Sequence, residues 1–148
     1  MELSWHIKSF NELSNIELYQ MLQLRSEVFV VEQNCVYQDV DFKDEKGLHI
    51  LGKWNDKTIA YCRIFKPIDY FEQAAISRVV VNKNYRHNKF GNELIIQAIN
   101  AIKNHFGETK ITISAQLYLK KFYESHGFIT TSEVYLEDDI DHIQMKRP

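Results

Sequence analysis

Only two cysteines, two prolines and five glycines occur in these 148 residues, and each scarcity removes a class of protein. The two thiols, Cys35 and Cys62, form no CxxC pair and could close at most one bridge. A disulfide-stapled scaffold is excluded, and a reducing, cytoplasmic setting is expected. So little proline and glycine argues against a disordered or fibrous chain. No apolar stretch reaches the length needed to span a bilayer, and His6 and Lys8 interrupt Met1–Phe10, where a signal peptide would keep an unbroken apolar run. Charge of one sign is missing too: 18 Lys plus Arg against 20 Asp plus Glu leave a formal charge of -2. That balance gives no footprint for a polyanion, so neither nucleic acid nor a membrane is an expected partner. The patterns GxxxxGK[ST] and HExxH, a calcium loop and a close Cys/His set are all absent. Magnesium-dependent nucleotide hydrolysis is therefore disfavoured and no metal is expected.

What is present is apolar: 45% hydrophobic and 13% aromatic residues suffice for one buried core, so a single domain over 1–148 is expected. Trp5 to Phe10 alternates as a first strand. Ser14 then caps a helix predicted over Ser14–Val31, with Leu18, Leu22, Arg25 and Phe29 on one face. A polar loop, Gln33–Gly47, carries Asp39, Asp41, Asp44 and Glu45. Leu48–Trp54 and Thr58–Phe65 read as an antiparallel pair joined by Asn55-Asp56-Lys57. Ala74–Val81 is dense enough in valine to predict a central strand buried on both faces. A helix follows with Leu94, Ile95, Ala98, Ile99 and Ile102 on one stripe, then a strand over Lys110–Gln116 and a helix over Leu117–His126 that stops at Gly127. Strands over Phe128–Tyr135 and Ile140–Lys146 close the chain. The order predicts a mixed α/β sheet, part antiparallel and part a right-handed βαβ crossover, flanked by helices.

Arg86-His87-Asn88-Lys89-Phe90-Gly91 lies between the valine-rich strand and the most amphipathic helix. Backbone N–H groups there can face an anion at the positive end of the helix, which outlines a pyrophosphate site. The other reading of the same residues is a solvated basic turn. The segment resembles the R/Q-x-x-G-x-G/A loop of GNAT acetyltransferases: Arg86 and Gly91 match, while Lys89 stands at the family's first glycine. Downstream, Phe122-Tyr123-Glu124-Ser125-His126-Gly127-Phe128 resembles the FYxxxGF ending of the GNAT fold's last helix. Leu24-Arg25-Ser26-Glu27-Val28-Phe29-Val30-Val31-Glu32-Gln33, with Ser77-Arg78-Val79-Val80 and Tyr135-Leu136-Glu137-Asp138, resembles the ElaA-like branch. Asp139 and Asp141 depart from that branch, which usually has glycine and proline there.

The resemblance implies an acetyl-coenzyme A-dependent transferase acting on an amine of a small molecule or peptide. Val79, Val80 and Val81 would pair with the pantetheine amides, and Arg86 to Gly91 would hold the pyrophosphate. Tyr123 would protonate the departing thiolate as general acid, a role a phenol can fill while neutral at pH 7. Glu32, Glu137, Asp138 and His142 are candidates for the base that takes the amine proton, and Glu32 and His142 would flank the acceptor end. Tyr123 can equally be a core residue, and Glu137, Asp138, Asp139 and Asp141 an acidic hairpin that is merely solvated. Arg25, Arg63 and Arg78 can be buried partners of carboxylates rather than functional groups. Two other readings remain open, a non-catalytic acyl-coenzyme A sensor and an interaction domain that keeps only the fold. The oligomeric state, a homodimer included, is also open.

Overall fold

The computed structural model describes all 148 residues. Strand β1 (Ser4–Ser9) leads to helix α1 (Asn15–Arg25), and the strands β2 (Leu48–Trp54), β3 (Lys57–Phe65) and β4 (Ala74–Val81) follow the polar loop. Helix α2 (Phe90–Phe106) connects to β5 (Ile111–Gln116), and the short helix α3 (Lys120–Glu124) precedes β6 (Ile129–Thr130), β7 (Tyr135–Glu137) and β8 (Ile140–Arg147). The eight strands form one sheet in the order β1-β2-β3-β4-β5-β8-β6, with β7 also on β8. The pairs β1–β2, β2–β3 and β3–β4 are antiparallel, β4–β5 is parallel across the α2 crossover, and β8 is antiparallel to β5.

Helices cover both faces. The α2 stripe of Leu94, Ile95, Ala98, Ala101 and Ile102 packs with Ile50, Ile64, Ile76, Ile111 and Ile113. Met21 and Leu24 of α1, with Val28, pack with Tyr61 and Val80 on the other side. Consequently β3 is the strand buried on both faces: every residue after Lys57 is inaccessible. β4, expected in that role, is covered on both faces along its first half only; Val80 is buried beneath α1, while Val79 and Val81 remain half-buried.

The predicted first helix changes character midway. Ser14 caps α1 in a reciprocal box, its hydroxyl accepting from Glu17 N at 3.0 Å while Glu17 Oε1 accepts from Ser14 N at 2.9 Å. Glu17 also receives Lys8 and Lys53, which ties the helix start to β1 and β2. Burial alone would raise the Glu17 carboxyl, but the two ammonium groups and Ser14 N–H outweigh it and bring it down to about 2. From Ser26 to Glu32 the chain widens into a π-helical turn, with Gln33 N donating to Val28 O at 3.1 Å. The wider turn rotates the faces that a regular helix to Val31 would keep aligned.

The chain's end differs more. Instead of one strand over Phe128–Tyr135, β6 and β7 are short pieces on the same edge of β8. Between them the Ser132 hydroxyl accepts from Gln144 N at 2.8 Å, a side-chain bond replacing a rung of the ladder. Leu117–His126 likewise divides into a 3-10 turn (Leu117–Leu119) and α3. Gly127 follows at φ +89°, and a Cβ there would lie 3.2 Å from Arg147 Nε, which donates to His126 O at 2.9 Å. Gly127→Ala is expected to cost about 1–3 kcal/mol in chemical denaturation, from left-handed strain and loss of the Arg147 contact.

Candidate functional site

Parallel pairing of β4 with β5 is confined to Ala74–Ile111 and Ala75–Thr112. Beyond those rungs the strands part. β4 bulges where its register against β3 shifts between Tyr61 and Arg63, and Arg78 in the bulge takes φ 53°. The Arg78 guanidinium lies against the Asp39 and Asp41 carboxylates, Nη2 donating to Asp39 O at 2.9 Å and lying 3.4 Å from Asp41 Oδ2, with Nε near Asp39 Oδ1 but without a hydrogen bond. The wedge that opens contains a cleft of about 430 Å³, walled by Val79, Val80 and Val81 of β4, Ile113, Ser114 and Gln116 of β5, and Phe122 and Tyr123 of α3. Backbone amide and carbonyl groups on the β5-facing side of β4 lack a strand partner there, which leaves them for an extended, amide-bearing ligand.

The expected anion loop is a 3-10 turn, Lys83–Asn88, followed by Lys89 at φ 62° and then by α2. The amides of Phe90 and Gly91 in the first turn are of the kind a helix leaves without an internal partner. Arg86 and Gly91 line the cleft. Three of the other four side chains of the loop have different occupations: Phe90 is a core residue, His87 faces solvent, and Asn88 Nδ2 donates to Tyr85 O at 3.2 Å. Lys89 is exposed and without an ion-pair partner, so its ammonium is free to meet an anion at the start of α2.

Glu32 does not stand free as a base. Arg86 Nη1 and Nη2 donate to its two oxygens at 2.6 and 2.8 Å, and Arg86 Nε donates to Val81 O at 3.1 Å. Those hydrogen bonds hold the Glu32 carboxyl below the ordinary range, which makes it a weaker proton acceptor. The same pair also ties up the arginine expected at the pyrophosphate.

His142 is differently placed. It is 6% exposed, stacks on Tyr135 at 6.2 Å, and has Nδ1 2.7 Å from Ile140 O. In the neutral ring that contact puts the proton on Nδ1, leaving a lone pair on Nε2 with no hydrogen-bond partner and a carboxylate oxygen of Glu137 3.4 Å away. Ser114 Oγ donates to Glu137 at 3.0 Å and lies 2.6 Å from the Tyr135 hydroxyl, fixing this group. Tyr123 is 5% exposed, edge-on to Phe122 at 5.1 Å and to Phe128 at 5.9 Å, and its hydroxyl makes no hydrogen bond within the protein. Burial pushes that phenol above its ordinary value, so it is neutral at any physiological pH. His142 and Tyr123 line the same cleft.

Several lining residues had no local signal in the sequence. Gln33 and Gln116 exchange amide hydrogen bonds at 3.0 and 3.2 Å across 83 residues of chain. Tyr37 and Tyr70 add aromatic walls from two separate loops. Both cysteines are free and buried, Cys35 Sγ donating to Asp138 O at 3.2 Å.

The profile of the acetyltransferase (GNAT) domain family matches residues 14–147. The protein ElaA of Escherichia coli strain K12 is 44% identical over 147 residues, covering 98% of this chain and 96% of its own. Its crystal structure superposes with a TM-score of 0.92 at 42% identity and covers 99% of both chains. The crystal structure of an acyl-CoA N-acyltransferase from Pseudomonas aeruginosa gives a TM-score of 0.93 at 40% identity, again over 99% of both chains.

Proposed function

Since this chain belongs to the GNAT acetyltransferase family, with ElaA among its relatives, we propose that it moves the acetyl group of acetyl-coenzyme A to an amine by direct transfer in a ternary complex. One observation carries the reading: a single cleft, opened by the parting of β4 and β5, is lined by an unpartnered phenol, an imidazole whose Nε2 has no hydrogen-bond partner and the first turn of α2. The free edge of Val79–Val81 would bind the pantetheine amides, and the amides of Phe90 and Gly91 with Lys89 would hold the pyrophosphate. As the amine nitrogen bonds to the thioester carbonyl carbon, its proton passes to His142 Nε2, and Glu137 stabilises the imidazolium formed. As the carbon–sulfur bond breaks, Tyr123 delivers its proton to the sulfur. The leaving thiolate is desolvated in the same apolar cleft, so its basicity rises together with that of the phenol. The products are the amide and coenzyme A, and no metal takes part. We place the activity in one cytoplasmic domain, a setting that suits two unpaired thiols.

Calorimetric titration with acetyl-coenzyme A tests the reading. Wild type is expected to bind, and an Arg86→Ala/Lys89→Ala double variant to bind about tenfold more weakly through loss of Lys89's charge and of the pairing that shapes the turn. Binding without turnover across amines would turn the assignment to an acyl-coenzyme A sensor, and no binding to an interaction domain.

A further inference from the structure

The main cleft continues into a second, outer recess, and the two share Gln33, Cys35, Asp138 and Ile140 as lining residues. The outer recess adds Asp139 and Asn34, with Val36 and Leu136 as apolar walls, and no cationic side chain lines it. Asp138 and Asp139 form the turn between β7 and β8 at φ 51° and 62°, a conformation that glycine or asparagine adopts at lower cost. Neither carboxylate makes an ion pair or a side-chain hydrogen bond. The arginines around the cleft are already engaged, Arg86 with Glu32 and Arg78 with Asp39 and Asp41, so neither offsets these carboxylates. At the inner end, the buried His142 offers its unpartnered Nε2 beside Glu137.

We propose that the acceptor is an aliphatic diamine, its reacting amine held at His142 and Glu137 and its second ammonium in the outer recess between Asp138 and Asp139. The inference rests on the transferase reading for which amine reacts. Two carboxylates side by side with no cation of the protein between them leave a negative spot that an ammonium can occupy. The half-buried side chain of Ile140, which lines both spaces, suits a methylene chain between two charges, with Val36 and Leu136 exposed at the rim. A monoamine of equal length would fill the inner site and leave the outer carboxylates unpaired.

The test is calorimetric titration of 1,5-diaminopentane and, separately, n-pentylamine into the protein saturated with coenzyme A. The diamine is expected to bind about three- to tenfold more tightly, the range for one ammonium meeting two exposed carboxylates. In Asp138→Asn/Asp139→Asn the ratio should fall to near one. Asparagine keeps the turn geometry, so an unchanged melting temperature would show that the loss is one of charge. Asp141→Asn removes a charge from the same hairpin at a residue lining neither cavity, and the wild-type ratio should persist. Equal binding of the two amines by wild type, or an equal loss in Asp141→Asn, would overturn the proposal, the latter by showing a diffuse field rather than a site. Failure to bind coenzyme A would instead sink the transferase reading, and the amine ratio measured on the unliganded protein would then decide the recess by itself.

Discussion

Replacing Tyr123 by phenylalanine is expected to lower kcat for acetyl transfer by about 10²-fold or more, the usual worth of a positioned proton donor. KM for acetyl-coenzyme A and the melting temperature should stay near wild type. The structural reason is that the hydroxyl has no partner within the protein, so its removal leaves no orphaned donor or acceptor. The ring, packed against Phe122 and Phe128, is retained. A core tyrosine kept only for packing would lose nothing in turnover on becoming phenylalanine. Steady-state kinetics of Tyr123→Phe, with thiol release and amide formation followed separately, therefore separates the two roles. Wild-type kcat would remove Tyr123 from the chemistry.

The second large effect concerns stability. Arg63→Met is expected to cost about 3–5 kcal/mol, the penalty for breaking a buried charge network by removing one partner. Arg63 is fully buried, with Nη1 2.8 Å from oxygens of both Asp41 and Asp44, Nη2 2.6 Å from Asp41 and Nε 2.7 Å from Ser77 Oγ. Arg25 grips Asp44 and Asp39 at 2.8 and 2.9 Å, so three arginines and three aspartates lock the loop after the π-helical turn against β3 and β4. Methionine keeps much of the volume but leaves Asp41 with the Lys43 N–H at 3.1 Å and the long Arg78 contact. Urea denaturation should show a lower midpoint with an unchanged slope.

The same network sets an acid limit. Burial alone would raise the Asp41 and Asp44 carboxyls, but hydrogen bonds and charge from Arg63 and Arg25 outweigh it and hold both below the ordinary range. Because the folded values are depressed, this stabilisation is fully present above the unfolded carboxylate range. It is lost as pH falls through the folded values. The stability gap between wild type and Arg63→Met should therefore narrow on acidification. His49 contributes an earlier decline. Burial lowers its folded value, so stability falls once pH drops below about 6.5, where the unfolded chain begins to take up the proton.

Most elements were legible because burial imprints a local period on the sequence. The α2 stripe is the clearest instance, since Leu94, Ile95, Ala98 and Ile102 all face the sheet as their spacing predicts. The Ser14–Glu17 box also reads directly, because both partners lie within one turn. The π-helical turn from Ser26 to Glu32 does not, since a single widened turn leaves no repeat in the apolar spacing. The interruption between β6 and β7 likewise depends on Gln144, reached only when β8 returns alongside.

By itself the sequence determined the family and most of the element order, and it marked Arg86 to Gly91 and Phe122 to Phe128 as candidate segments, because each is a contiguous run with its own spacing. The tertiary structure alone decided how the charges pair, and with that which residues are free to act. Glu32 and Arg86, 54 residues apart, neutralise each other, whereas His142 and Tyr123 remain unpartnered toward one cleft. Pairing across such distances follows from how β4 and β5 part and how the loops close over them. Local propensity and periodicity sense only neighbours within a few residues, so they carry no record of those contacts.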